Sequence, residues 1–241
     1  MINEKTVSDA IEYRRSVRVF SDQDLDSEIV KKCLHNASLA PNSSNLQLWE
    51  FVHVNDDKVL KKLSKACFNQ NAAKTAKQLV VIVVRKDLWK KRANWNIEVI
   101  SNQSKNSKIS DKRLKQAKTY YKKVIPTLYT DFFGILGILK SLIFQTIGLF
   151  RPTMRQVMSS DIRVVAHKSA GLAAQNFMIS MAAIGYDTCP MEGSDTLKVK
   201  NILNLPSGSE INMVIGCGIR TNEGVYGDQL RVPFNEVYTY I

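Results

Sequence analysis

Arg14, Arg15, Ser16 and Arg18 fall within five residues, in the stretch RRSVRVF at positions 14–20. Guanidinium groups are planar forks that match phosphate oxygens two at a time. A serine hydroxyl and backbone N–H groups at the same bend can complete an anion cradle. Taken alone, such a cluster is also what a solvated surface looks like. Two further polar clusters give it context. One is Ala40-Pro41-Asn42-Ser43-Ser44-Asn45, a loop dense in amides and hydroxyls. The other is Pro190-Met191-Glu192-Gly193. Single arginines at 220 and 231 add candidate positive charge late in the chain. No Ser/His/Asp set, carboxylate pair, Walker loop or G-x-G-x-x-G stretch is present. The four cysteines, Cys33, Cys67, Cys189 and Cys217, are far apart and form no metal-ligand spacing.

The elements that must position these residues read as follows. Thr6 with Asp9 fits a capping pattern, so Thr6–Tyr13 reads as a short helix that delivers the arginines. Asp26 or Ser27 caps a second helix, in which Ile29, Val30, Cys33, Leu34 and Ala37 share one face. Pro41 ends it. Trp49–Val54 alternates and reads as a strand, and 56–68 is helical. Leu79–Val84 is continuously apolar, which predicts a strand buried on both faces. Residues 94–124 read as a long basic helix, and 168–184 as an Ala/Met-rich core helix closed by Gly185. Asp195–Leu203 is another helix, Ile211–Cys217 a second apolar strand, and Val237–Ile241 a last one. Trp49 is expected in the core, and His35 and His53 in structural roles. His167 and Lys168 read as a surface pair or a wall of a substrate pocket. Helices and strands mix without a regular βαβ repeat, which predicts an α+β fold: a central, mostly antiparallel sheet flanked by helices.

The chain of 241 residues can hold one sizeable core, and 44% apolar with 23% charged residues is a globular composition. The N-terminus shows no secretory leader, and a reduced cytoplasmic compartment is expected. The net charge of +12 is uneven. Thirteen Lys/Arg against Asp87, Glu98 and Asp111 put +10 between Arg85 and Lys123. An apolar run follows from Phe132 to Phe150. As a single helix it would reach roughly 28 Å. Lys140 near its middle and three glycines argue against a simple membrane span and for two shorter helices.

With its three clusters in order, the chain resembles the FMN-dependent nitroreductase family. RRSVRVF is similar to the family's arginine–serine segment. APNSSNLQLWEF (40–51) is similar to its Pro-Ser-Ser-x-Asn-x-Gln-Pro-Trp loop, with Asn42 for the first Ser and Leu48 for the second Pro. AGLAAQNFMISMAAIGYDTCPMEGSD (170–195) resembles its core helix and flavin-facing Pro-x-Glu-Gly turn. The resemblance implies a phosphate and ribityl grip by Arg14, Ser16 and Arg18, with Arg15 adjacent. It implies that Asn42, Ser43 and Asn45 reach the flavin from the partner subunit of a homodimer. It implies a turn of Pro190, Met191, Glu192 and Gly193 along the ring near N5, and a polar contact from the Asn69-Gln70-Asn71 region, centred on Gln70. Arg231 matches a C-terminal Arg-x-Pro that returns to the phosphate, and Arg220 is a second candidate for that charge.

The activity so implied is ping-pong: NAD(P)H gives hydride to FMN N5, and a nitroaromatic or quinone then takes the electrons. Other flavin-dependent reductions, such as dehalogenation or ene reduction, remain alternatives. So does a non-catalytic basic module on membrane or nucleic acid. A nucleic-acid role would leave the three clusters without purpose, and the basic run lacks interleaved aromatics. Residues 85–150 depart from the family pattern. An inserted lid is expected at about 90–160, within one domain spanning 1–241. Either its apolar part packs in the dimer, or the segment makes peripheral contact with anionic lipid.

Overall fold

The computed structural model describes residues 4–105, 109–131 and 135–241. The chain opens with helices α1 (Val7–Tyr13) and α2 (Ser27–Ser38). Strand β1 (Trp49–Val54), helices α3 (Asp57–Ala66) and α4 (Asn71–Thr75) and strand β2 (Gln78–Val84) follow. Four more helices come next: α5 (Trp89–Lys105), α6 (Asp111–Thr119), α7 (Ile125–Tyr129) and α8 (Ile135–Phe150). The long α9 (Ser159–Ala183), strand β3 (Asp187–Met191), helix α10 (Thr196–Ile202), strand β4 (Glu210–Gly218) and a short α11 (Phe234–Val237) complete it. The expected caps are made: the Thr6, Asp26 and Asp195 side chains accept from Asp9, Glu28 and Lys198 N–H groups. Gly185 ends α9 at φ +85, a left-handed turn that costs glycine little.

The strands form one antiparallel sheet in the order β1-β2-β4-β3. Its two central strands explain the apolar runs. Leu79, Val81 and Val83 face one core with α3, α4 and α10, together with Val214, Cys189 and Met191. Val80, Ile82 and Val84 face the other, where Phe177, Met181 and Ala174 of α9 meet Val30 and Cys33 of α2. Both faces are covered, so β2 cannot alternate apolar with polar. The fold is α+β, as the sequence predicted. Trp49 is core, and His53 Nε2 sits 2.6 Å from Gln78 Oε1 in a structural contact.

Five expectations change. The core helix read from 168 begins nine residues earlier, at Ser159, so His167 and Lys168 lie within it. Residues 94–124 do not form one helix, since α5 ends at Lys105 and α6 starts at Asp111; 106–108 lie outside the described residues. The apolar run is one helix from Ile135, not two pieces; 132–134 are likewise outside the described residues. Its glycines are absorbed because Gly137 packs beside Met158 and Ser159, and Gly148 beside Arg155. Val237–Ile241 is not a strand: a turn of helix precedes an exposed tail. Pro190 and Met191 belong to edge strand β3, so the turn is only Glu192–Ser194. Proline is tolerated there because an edge strand has one unpaired side.

A satellite core holds the α5–α7 region to the loop before β1. Leu46, Leu48, Ala93 and Ile125 are buried together, with Trp89, Tyr121 and Tyr129 against them. Among the described residues, no helix is long and apolar enough to cross a membrane.

Candidate functional site

The arginine cluster is positioned by edge strand β3. Ser16 makes a parallel bridge to Thr188, and Val17 N–H donates to Thr188 O over 3.1 Å. Arg18 N–H donates to Gly224 O over 2.6 Å, so the same segment also holds the chain leaving β4. Val17 and Phe20 are buried, while Arg14, Arg15, Ser16 and Arg18 stay partly exposed. Arg14, Arg15, Ser16 and Arg18 then line a groove of about 250 Å³ with Tyr226, Asp228 and Arg231. Residues more than two hundred positions apart thus meet.

The groove is electrostatically unbalanced. Burial holds the Arg14 guanidinium below its ordinary pKa, and the charges of Arg231 and Arg15 add to the effect. Among the described residues, none of Arg14, Arg15, Arg18 and Arg231 is in an ion pair with a carboxylate. Asp228 is the groove's sole acid. Arg15 Nη2 donates to Gly227 O over 2.8 Å, which ties it to the wall. Crowded, unpaired guanidinium groups around a cleft make a ready anion site.

Arg220, the second candidate for this charge, is placed elsewhere. Its Nε donates to Asp187 Oδ1 over 2.8 Å, and its guanidinium lies 4.2 Å over the Tyr13 ring. Asp187 is 2% exposed and needs that partner. Sequence reasoning saw the arginine but not the buried acid that claims it.

Gln70 and Gly193 meet: Gln70 Nε2 donates to Gly193 O over 2.8 Å. The adjoining Asn71 Nδ2 donates to Tyr226 Oη over 3.2 Å, and Tyr226 lines the groove. A continuous polar wall therefore runs from the arginines past Tyr226 and Gln70 to the turn after β3. A Cβ at Gly193 would meet nothing nearer than Gln70 Nε2 at 3.7 Å, so its backbone face stays open. Asn71 falls within the Asn69–Asn71 stretch expected from the sequence, whereas Tyr226 was missed because it does not stand out from ordinary loop residues.

The loop at 42–45 is not part of this assembly within one chain. It precedes β1, whose first residue Trp49 pairs with Val84, which in turn pairs with Glu210 at the start of β4. Ser16 lies beside Thr188, which pairs with Cys217 near the end of β4. The two clusters thus sit at opposite corners of the sheet, roughly 25 Å apart by strand spacing and rise. The loop is rigidly built. Ser44, Asn45 and Gln47 all have φ near +50, and Gln47 N–H donates to Asn42 Oδ1 over 2.8 Å. Ser43 N–H donates to Ser169 Oγ, while Asn96 Nδ2 donates to Asn45 O over 2.8 Å. Tyr121 Oη donates to Ser44 O over 2.9 Å, and the Tyr120 and Ser44 hydroxyls are 2.7 Å apart. Both tyrosines lie in a π-helical turn, Tyr120–Val124. These holders were missed; the buried Ala93/Asn96 pair, three apart on α5, was the one usable hint.

His167 sits within α9, its Nε2 3.2 Å from Glu210 Oε2 and its Nδ1 3.1 Å from Asn212 Nδ2. Burial pushes the Glu210 carboxyl up, but hydrogen bonds from Arg163 and His167 outweigh this and hold it below the usual range. The His167 ring is thereby tied to the β4 start. A larger cleft of about 920 Å³, with Lys61, Lys65 and Lys74 on its wall, contains none of the candidate residues.

Comparison with known proteins fits this geometry. MhqN of Bacillus subtilis, provisionally named an NAD(P)H nitroreductase, is 27% identical over 235 residues, spanning 95% of each chain. The crystal structure of ydfN from Bacillus subtilis, provisionally titled a nitroreductase, superposes with a TM-score of 0.75 at 23% identity. It covers 97% of this chain and 98% of the other. A protein of Exiguobacterium sibiricum solved in complex with FMN superposes at 0.69 with 18% identity, covering 98% of each. The Nitroreductase family model matches residues 11–219, more than four-fifths of the sequence. With the Arg14–Arg18 segment and all four strands of the sheet inside that match, the chain belongs to the nitroreductase family.

Proposed function

We propose that the chain is an FMN-dependent oxidoreductase that passes hydride from NAD(P)H to an aromatic acceptor, a nitroaromatic or a quinone, in ping-pong order. The observation that carries this reading is the convergence of Arg14, Arg15, Arg18 and Arg231 on one groove without a carboxylate to pair them. FMN ends in a phosphate of about two negative charges, which such a groove suits. At about 250 Å³ the groove is smaller than whole-ligand sites of ~300–1,000 Å³. It fits one end of a cofactor, with the rest lying along the wall toward Gln70 and Gly193. When bound, FMN supplies the hydride chemistry.

The chain's own groups bind and orient. Arg14, Ser16, Arg18 and Arg231 hold the phosphate end, with Arg15 bracing the wall. Gln70 fixes the Glu192–Gly193 turn, so that backbone beside Pro190 and Met191 is presented to the ring without a side chain in the way. Asn42, Ser43 and Asn45 act from the partner subunit, because their corner of the sheet cannot reach the groove of their own chain. A homodimer is also supported by the tail, where Leu230, Val232, Phe234 and Val237 are exposed on the single chain. Helices α5–α8 form a lid subdomain around the satellite core. Four buried thiols suit a reducing compartment such as the cytoplasm.

The test is spectroscopic. Protein incubated with FMN and desalted should retain a yellow chromophore, which NADH or NADPH bleaches under anaerobic conditions and a quinone restores. Folded protein that stays colourless with excess FMN refutes the proposal.

A further inference from the structure

Helix α8 is apolar nearly all round, yet much of it is left in water. Its less exposed face carries Gly137, Lys140, Ser141, Phe144, Ile147 and Gly148, while Ile135, Ile138, Leu139, Leu142, Ile143, Leu149 and Phe150 are exposed, with Gln145 and Thr146 the polar residues beside them. Leu142 is 63% exposed and Phe150 85%. A helix hydrophobic all round is ordinarily buried. The helix's lone charge is turned away as well. Lys140 Nζ donates to Thr127 O over 3.0 Å and to Thr130 O over 2.7 Å, capping the C-terminus of α7. Arg155 Nη1, beyond the helix end, likewise turns back to Gln145 Oε1 over 2.8 Å. The exposed surface therefore presents large apolar side chains, two polar ones in Gln145 and Thr146, and no charge.

What covers that face is indicated by its neighbour. Helix α6, the π-helical turn and α7 run without a break from Asp111 to Tyr129, and the end of this rod is clasped by Lys140. The rod carries six Lys/Arg against one Asp. Lys112, Lys115, Lys122 and Lys123 are exposed along it. A second copy docked through α8 would bring two such rods together, like charge against like. A surface of acyl chains under anionic headgroups satisfies both elements at once. At 16 residues the helix is about 24 Å long, too short to span a bilayer core of ~30 Å. It suits a position in the interface plane.

We propose that α8, with the basic rod α6–α7, is a docking surface for an anionic lipid membrane, so that the protein works from the bilayer surface. This stands apart from the flavin reading, which concerns the β3 edge.

The experiment uses the full chain, incubated with FMN, sedimented with vesicles of phosphatidylcholine alone or with one-third phosphatidylglycerol. The expected result is binding to the anionic vesicles, weakened about tenfold or more between low and high salt. The double variant L139E/L142E should lose that binding, and K112Q/K115Q/K122Q/K123Q should weaken it. Both should keep the wild-type flavin content and oligomeric state. Failure of wild type to bind anionic vesicles overturns the proposal. So does conversion of a wild-type dimer to monomers by L139E/L142E, which would make a second copy the occupant. Flavin content is read in the same samples, so loss of the cofactor reading is seen separately.

Discussion

Arg14 and Arg220 are chemically the same side chain in opposite circumstances. Arg14 is crowded by other cations, whereas Arg220 neutralises a buried acid. Their substitutions should separate. Arg14→Ala removes charge-assisted hydrogen bonds worth about 1.5–3 kcal/mol each, so FMN dissociation constants should rise about 10- to 100-fold with little change in melting temperature. Arg220→Ala leaves Asp187 unpaired and should cost about 3–5 kcal/mol of stability, read by denaturant unfolding of the protein without FMN. Equal FMN affinity in Arg14→Ala and wild type would mean the groove is not the phosphate site. At this scale the sequence was readable where one short stretch carried the signal, as at Arg14–Arg18. It was unreadable where a partner came from elsewhere. Nothing in the residues near 220 announces Asp187, and nothing near 44 announces Tyr120 and Tyr121.

Elements were legible where burial is simple. A strand covered on both faces must be apolar throughout, and β2 could be read for that reason. Strand β3 was hidden because Pro190 breaks the strand pattern, and only its edge position makes that proline acceptable. Helix α8 was expected in two pieces because its glycines look like breaks, yet Gly137 and Gly148 are where neighbouring segments approach closely. The join between the arginine segment and β4 depends on another glycine. A Cβ at Gly218 would lie 2.6 Å from Phe20 Cδ1, inside the van der Waals limit, and Phe20 is buried. Gly218→Ala should therefore cost about 1–3 kcal/mol and also weaken FMN retention, since Phe20 anchors the end of the arginine stretch. A variant as stable as wild type would show that the ring can move aside at no cost.

At the scale of the molecule, one chain carries the two halves of the proposed site at opposite corners of its sheet. Subunit mixing checks whether those halves belong to different copies. In an isolated heterodimer of an Arg14→Ala chain and an Asn42→Ala/Asn45→Ala chain, one site carries every defect and the other none. The expected outcome is one tightly held FMN per dimer, where each parental homodimer holds FMN weakly. Two equally weakened sites would place the whole grip on a single chain.

The groove also has a birth order. Arg14 to Arg18 emerge early in synthesis, while Arg231 emerges more than two hundred residues later, and Tyr226 only shortly before it. A nascent chain can fold its sheet once β4 has left the ribosome and still lack one wall of the cleft. Flavin loading is then a late event in biogenesis, and chains truncated between Gly224 and Arg231, which keep Arg220 and its bond to Asp187, should accumulate as folded protein without cofactor.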